Sequence, residues 1–178
     1  MPLIGDHAPE FHAMTTQGKI DFPADYKGSW VVLLSHPADF TPVCTTEFIA
    51  LSRMNETFES LNTKLIGLSI DSLHSHLGWI KSIEALNFNN EGKVKIPFPI
   101  IADISMNVAK KYGMLQTVAN TQTVRAVFII DPEGIIRTIL YYPMSTGRNI
   151  PEIIRILQSL QLNDKTHYST PANWQPGD

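Results

Sequence analysis

The 178-residue chain sets 14 Lys and Arg against 17 Asp and Glu, a formal net charge of −3, with 43% hydrophobic residues. That is enough for one sizeable core, and the charge balance gives no attraction toward nucleic acid or an anionic membrane. No apolar run nears the roughly 20 residues that span a bilayer. The opening Met-Pro-Leu-Ile-Gly-Asp has neither the basic region nor the long apolar stretch of a secretion signal, so a cytoplasmic protein is expected.

From Gly5 to Asp25 the chain is polar, with Gly18-Lys19 as a turn candidate, and predicts short strands or a hairpin. Trp30 to Ser35 is an apolar run between Gly28 and Pro37 and reads as a buried strand. Thr41-Pro42 offers an N-cap followed by proline at the first helical position. Phe48, Leu51, Met54, Phe58 and Leu61 then trace one stripe of a single helix.

Lys64 to Ile70 predicts a second buried strand, and Asp71-Ser72 a cap for a helix running through Trp79 to Leu86. Asn87 to Lys95 reads as a polar loop, Phe98 to Ala102 as a strand, and Ile104 to Tyr112 as a short helix closed by Gly113. Val124 to Ile130 and Ile135 to Tyr142 predict an antiparallel pair around the turn Asp131-Pro132-Glu133-Gly134. A last helix is expected from Asn149 to Leu160. This order implies an α/β protein of thioredoxin-like fold, a mixed central sheet with helices on both faces. Residues 1–162 form the expected domain, and 163–178 the start of a C-terminal arm or extension.

Cys44 is the single cysteine, so these 178 residues can form no intramolecular disulfide. A lone cysteine is commonly just a small core hydrophobe. Its place argues otherwise. Three residues past Thr41, it falls in the first turn of a helix, where free N–H groups and the helix dipole favour thiolate over thiol. Pro37 and Pro42 stiffen the surrounding loop. The Thr41 hydroxyl could cap the helix or bind a substrate oxygen, and by itself the capping role is the better expectation.

Arg125 interrupts the apolar run Val124 to Ile130. A guanidinium beside a core is costly unless paired; it either snorkels to water at the strand end or is aimed at the thiolate. Glu47, one turn after Cys44, is the carboxylate that could orient it, or an ordinary solvated helix residue.

Pro37-x3-Thr41-x2-Cys44 is similar to the peroxiredoxin signature Pro-x3-Thr/Ser-x2-Cys, and Ser35 to Glu47 resembles the 1-Cys branch in particular. The likeness extends from Gly5-Asp6-x-Ala8-Pro9-x-Phe11 through Ser69-Ile70-Asp71-Ser72 and His76-x2-Trp79 to Tyr142-Pro143-x3-Gly147-Arg148-Asn149. This resemblance implies a thiol-dependent peroxidase with Cys44 as peroxidatic nucleophile. It implies that Thr41 hydrogen-bonds the peroxide, Pro37 shields the site, Arg125 activates the thiolate, Glu47 positions Arg125, and Arg148 completes the network. His36 matches a histidine of this branch near the cysteine; it is either a hydrogen-bonding partner of the sulfur or only a strand terminator.

The substrates expected are hydrogen peroxide and organic hydroperoxides, reduced through a Cys44 sulfenic acid without metal, haem or flavin. With no second thiol within these residues, an external thiol must regenerate Cys44. The resemblance also implies homodimers, in some members joined into rings of ten, and a chain that usually continues past the motif similar to Thr170-Pro171-Ala172-Asn173-Trp174. A redox sensor or chaperone-like assembly switched at Cys44 is the competing reading. A thiol–disulfide oxidoreductase is disfavoured because Cys-x-x-Cys is missing. Lys27-Gly28-Ser29-Trp30-Val31 lacks the glycines of a lipase elbow, and His74-x-His76, diverging on a helix, reads as a surface feature rather than a metal pair.

Overall fold

The computed structural model describes residues 1–116 and 121–178, which fall into two units, Met1–Arg148 and Asn149–Asp178. In the first, β1 (Phe11–Thr15) and β2 (Gly18–Phe22) form a hairpin. Its turn lies at Thr16-Gln17, two residues before the expected place; Gly18 opens β2 instead, with φ +103°, a conformation glycine tolerates. β3 (Trp30–Ser35) is buried at every position and runs in the centre of the sheet. It pairs in parallel with β4 (Thr63–Ser69) and antiparallel with β6 (Arg125–Ile130). β5 (Ile100–Ala102) continues from β4, and β7 (Ile136–Tyr142) from β6. The seven strands lie in the order β2-β1-β5-β4-β3-β6-β7, so the sheet is mixed and β7 is an edge.

Between β3 and β4 the expected single helix is two, α1 (Pro42–Arg53) and α2 (Asn55–Ser60), broken at Met54, whose ψ of 7° leaves the helical range. α3 (Leu73–Ala85) starts at Ser72, whose side chain accepts from the Ser75 N–H as the sequence suggested. α4 (Asn107–Lys111) is shorter than expected. Ile104 to Met106 form a turn, and the Asp103 carboxylate accepts from the Val108 and Ala109 N–H groups.

The pleat sorts the helices. Val31, Leu33, Ile66 and Leu68 share a core with Val108 and Ala109 of α4 and with Tyr112 just after it. On the opposite face Gly67 leaves room for Phe48 of α1: a Cβ there would lie 3.0 Å from the ring. Phe48 packs on Trp79 of α3 with ring centroids 4.7 Å apart. Helices therefore cover both faces of the sheet.

The second unit holds α5 (Ile150–Thr166), six residues longer at its end than expected. Asn149 accepts from the Glu152 N–H at its start. The tail returns along the helix, with Arg155 donating to the Trp174 carbonyl and Ser159 meeting Thr170. Among the described residues no helix is long and apolar enough to cross a membrane.

Candidate active site

The carboxyl ends of the parallel strands β3 and β4 and the amino end of antiparallel β6 meet at one rim of the sheet. Loops leaving strand ends at such a rim are where open α/β sheets place their chemistry. β3 hands the chain to His36 and Pro37, both buried, and the loop turns at Phe40 (φ 62°) into α1. Thr41 is the N-cap in backbone terms, yet its hydroxyl does not cap the helix. It donates to the Ala38 carbonyl at 2.8 Å, so the capping expectation fails, and the oxygen keeps lone pairs for another donor.

Cys44 is fully buried in the first turn of α1. Arg125, the first residue of β6, reaches it: Nη1 donates to Sγ at 3.2 Å and to Glu47 Oε1 at 2.7 Å, while Nε donates to the Met144 carbonyl at 2.9 Å. The guanidinium is buried, so it does not snorkel to water. Glu47 is buried too, and is no solvated helix residue.

Arg148 closes the cluster. Its Nε and Nη2 grip the Glu47 carboxylate at 2.7 and 2.9 Å, and its backbone N–H adds a third bond at 2.9 Å. Its Nη1 donates to the carbonyls of Ser35 and Ala126, both at 2.7 Å, tying β3 and β6 to the rim. Burial alone would raise the Glu47 pKa; the charge and hydrogen bonds of Arg148, with the charge of Arg125, outweigh it and hold the carboxyl below its usual range. Two cations, one carboxylate and one sulfur thus share a buried site. A thiolate accepts the Arg125 hydrogen bond more strongly than a thiol does, and its charge balances the second cation.

The geometry brings Cys44, Arg125, Glu47 and Arg148 into direct hydrogen-bonded contact, with Thr41 and Pro37 in the loop that enters α1. His36 belongs to a neighbouring buried group: its Nε2 lies 2.7 Å from Asp39 Oδ1, and Asp39 Oδ2 lies 2.6 Å from His76 Nδ1. His76 corrects the sequence reading. His74 is exposed, but His76 is buried and its Nε2 faces the Ile101 carbonyl at 2.9 Å. A signal for this existed in the spacing, because His76, Trp79 and Ile83 mark the buried stripe of α3.

A family model described as "AhpC/TSA family" matches residues 4–139. The chain belongs to the AhpC/TSA family. Among the peroxiredoxins it resembles, one from Methanosarcina mazei is 63% identical over 100% of this chain and 82% of its own. The structure of a mutant of peroxiredoxin 6 from Arenicola marina superposes with a TM-score of 0.92 at 40% identity, covering 100% of this chain and 82% of that one. A yeast mitochondrial 1-Cys peroxiredoxin, described for thiol resolution via glutathione and thioredoxin systems, superposes with a TM-score of 0.91 at 45% identity, covering 100% and 85%. The fold is the thioredoxin-like fold of peroxiredoxins, and the protein is a thiol-dependent peroxidase, an oxidoreductase whose single cysteine fits the 1-Cys mechanism.

Proposed function

We propose that Cys44 is the peroxidatic nucleophile of this peroxiredoxin, and that the buried Arg125–Glu47–Arg148 cluster activates it. The observation that carries this is one guanidinium nitrogen, Arg125 Nη1, bonded at once to the sulfur and to Glu47. The Cys44 thiolate attacks the terminal oxygen of a hydroperoxide, hydrogen peroxide or an organic one. An S–O bond forms as the O–O bond breaks, the sulfur loses two electrons, and the alkoxide or hydroxide that leaves takes a proton to become alcohol or water. Arg125 stabilises charge on the oxygens along that path. Thr41 offers its remaining lone pairs to the peroxide O–H, Pro37 keeps water off the sulfur, Glu47 and Arg148 fix the Arg125 fork, and His36 meets the oxidised sulfur.

An external thiol condenses with the sulfenic acid, releasing water, and a second thiol returns Cys44 to its reduced form. Low-molecular-weight and protein thiols are both candidates, given the yeast relative's described partners. The chemistry falls to residues 1–162, with 163–178 as a C-terminal arm. The protein works in the cytoplasm as a homodimer or a ring of dimers; the position of β7 at the edge of the sheet, where Gly5 and Asp6 engage the backbone of Ile136 at its start, supports pairing of the rest of the strand across a two-fold axis.

The test is peroxide consumption with dithiothreitol, alongside intact mass. Wild type should turn over, and Cys44→Ser should not. Without thiol, peroxide should add first about 16 and then about 32 mass units, one and two oxygens on sulfur. Turnover by Cys44→Ser would overturn the assignment.

A further inference from the structure

Thr41 is held at both of its ends, by different parts of the fold. Its carbonyl accepts from the Thr45 N–H at 3.0 Å and from Thr45 Oγ1 at 2.8 Å, and the Trp79 indole N–H donates to Thr45 Oγ1 at 3.1 Å. α1 and α3 therefore fix its backbone. The direction of its hydroxyl is set elsewhere, by the hydrogen bond it donates to the Ala38 carbonyl. That carbonyl and the Asp39 N–H belong to one planar trans peptide, so they point in opposite directions. The Asp39 N–H donates to Asp71 Oδ2 at 2.9 Å, and the same oxygen accepts from Ser69 Oγ at 2.7 Å. Ser69 ends β4, and its carbonyl accepts from the Asp103 N–H just past β5. One peptide thus joins a carboxylate anchored at the sheet to the hydroxyl beside the sulfur.

The polarity of that peptide matters to the chemistry. An ionised carboxylate only accepts, so Asp71 holds an N–H and repels a carbonyl oxygen. It selects one of the two ways round that the peptide could lie. In the selected one the Ala38 carbonyl takes the Thr41 hydrogen, and both hydroxyl lone pairs stay free of it. Turned over, the peptide would present an N–H that occupies a lone pair, and the hydroxyl would face the substrate as a donor. The bond to Asp71 also polarises the peptide, which makes the carbonyl a stronger acceptor for Thr41.

The Asp39 side chain keeps the peptide from swinging. Its Oδ1 lies 2.7 Å from His36 Nε2, and its Oδ2 lies 2.6 Å from His76 Nδ1 and accepts from Ser75 Oγ at 2.9 Å. Burial would raise the Asp39 pKa, but the hydrogen bonds and charges of His36 and His76 hold it below the usual carboxylate range. Phe40 follows at φ 62°, a conformation that a bulky side chain keeps only where its surroundings enforce it.

We infer that Asp71 is a positioning residue for peroxide reduction: through the Ala38–Asp39 peptide it ties up the Thr41 hydroxyl hydrogen and leaves the oxygen to accept from the peroxide. The inference rests on Thr41 binding the peroxide. Its test compares two reactions of Cys44 in the full chain, oxidation by hydrogen peroxide and modification by methyl methanethiosulfonate, a thiol reagent with no O–H or N–H. Asp71→Ala should slow oxidation by about tenfold, inside the roughly 10²-fold that an ångström misplacement near the reacting atoms can cost. The pH profile of thiosulfonate modification should stay as in wild type, because Arg125 and the sulfur are untouched. Asp71→Asn, which keeps an oxygen in place, should recover most of the oxidation rate. In a Thr41→Val background Asp71→Ala should add almost nothing.

Equal slowing of both reactions, the same loss with and without the Thr41 hydroxyl, or an Asn variant as slow as Ala would each overturn the inference. So would a wild-type oxidation rate in Asp71→Ala while Thr41→Val is slow. Thr41→Val at the wild-type rate would instead overturn the role of Thr41 itself. A measurement on unaltered protein stands apart from any variant's folding. The Asp39 amide should be protected from hydrogen exchange, and free exchange there would break the relay.

Discussion

The two buried networks at the rim of the sheet are built from the same kinds of group and differ in what they leave open. Around Glu47 the donors converge from β6 and from the segment after β7, and Nε and Nη1 of Arg125 and all three guanidinium nitrogens of Arg148 donate to carboxylate, carbonyl or sulfur. Around Asp39 the donors come from the loop after β3 and from α3, and one nitrogen of His36 is left over. The first network sets its charge against the sulfur itself, while the second anchors the loop that carries Pro37 and Thr41 to the end of β4. Adjacent clusters can thus divide their work, one on the sulfur and one on the loop that leads to it.

The sharpest way to break this contrast is Arg125→Ala. It should slow Cys44 oxidation by peroxide on the order of 10²-fold or more, the loss typical of a preorganised charge donor, measured by stopped-flow peroxide consumption. Asp39→Asn should leave that first step far closer to wild type. Equal damage from both would erase the distinction between the networks.

Glu47→Ala should be the most destabilising change in the first network. It strands two buried arginines, and breaking such a pair costs about 3–5 kcal/mol, readable by urea denaturation. The same carboxylate sets a pH dependence. Its pKa is lowered in the folded state, so its contribution is fully present above the unfolded value of about 4.3 and is lost as pH falls through the lower folded value. Glu47→Gln should therefore flatten part of the acid limb of the stability curve. A limb identical to wild type would mean that Glu47 does not carry it.

A smaller effect separates packing from chemistry. Gly67→Ala places a methyl 3.0 Å from the Phe48 ring on the face that supports α1. Overpacking of this kind costs about 1–3 kcal/mol, so the melting temperature should fall while the per-molecule rate of Cys44 oxidation changes little. A large loss of rate at full folding would show that α1 is positioned more delicately than its hydrogen bonds suggest.

The networks also differ in how far the amino-acid sequence exposed them. Arg125 was legible because a cation interrupting Val124 to Ile130 violates the strand pattern, and Glu47 because it sits one turn from a cysteine at a helix start. Asp39 and His76 violate nothing locally. Asp39 lies in a polar loop where any aspartate fits, and His76 was judged with His74 rather than with Trp79 and Ile83, whose spacing puts it on the buried stripe. The succession of strands and helices along the chain and both helix-covered faces followed from apolar runs and turns. The helix break at Met54 and the short α4 did not, because helix ends are set by capping and tertiary contacts that periodicity does not encode. Thr41 misled for the same reason: its position is that of an N-cap, but Ala38 offers its hydroxyl a closer partner.

The central claim is that Glu47 acts on the sulfur through Arg125, and a double-mutant cycle tests it directly. The rate of Cys44 oxidation by hydrogen peroxide would be measured in wild type, Glu47→Gln, Arg125→Ala and the double variant, each at a pH where it is fully folded. Glu47→Gln should slow oxidation in the wild-type background and add almost nothing once Arg125 is gone. If it slows oxidation by the same factor in both backgrounds, the carboxylate acts independently of the guanidinium, and the account given of this site is wrong.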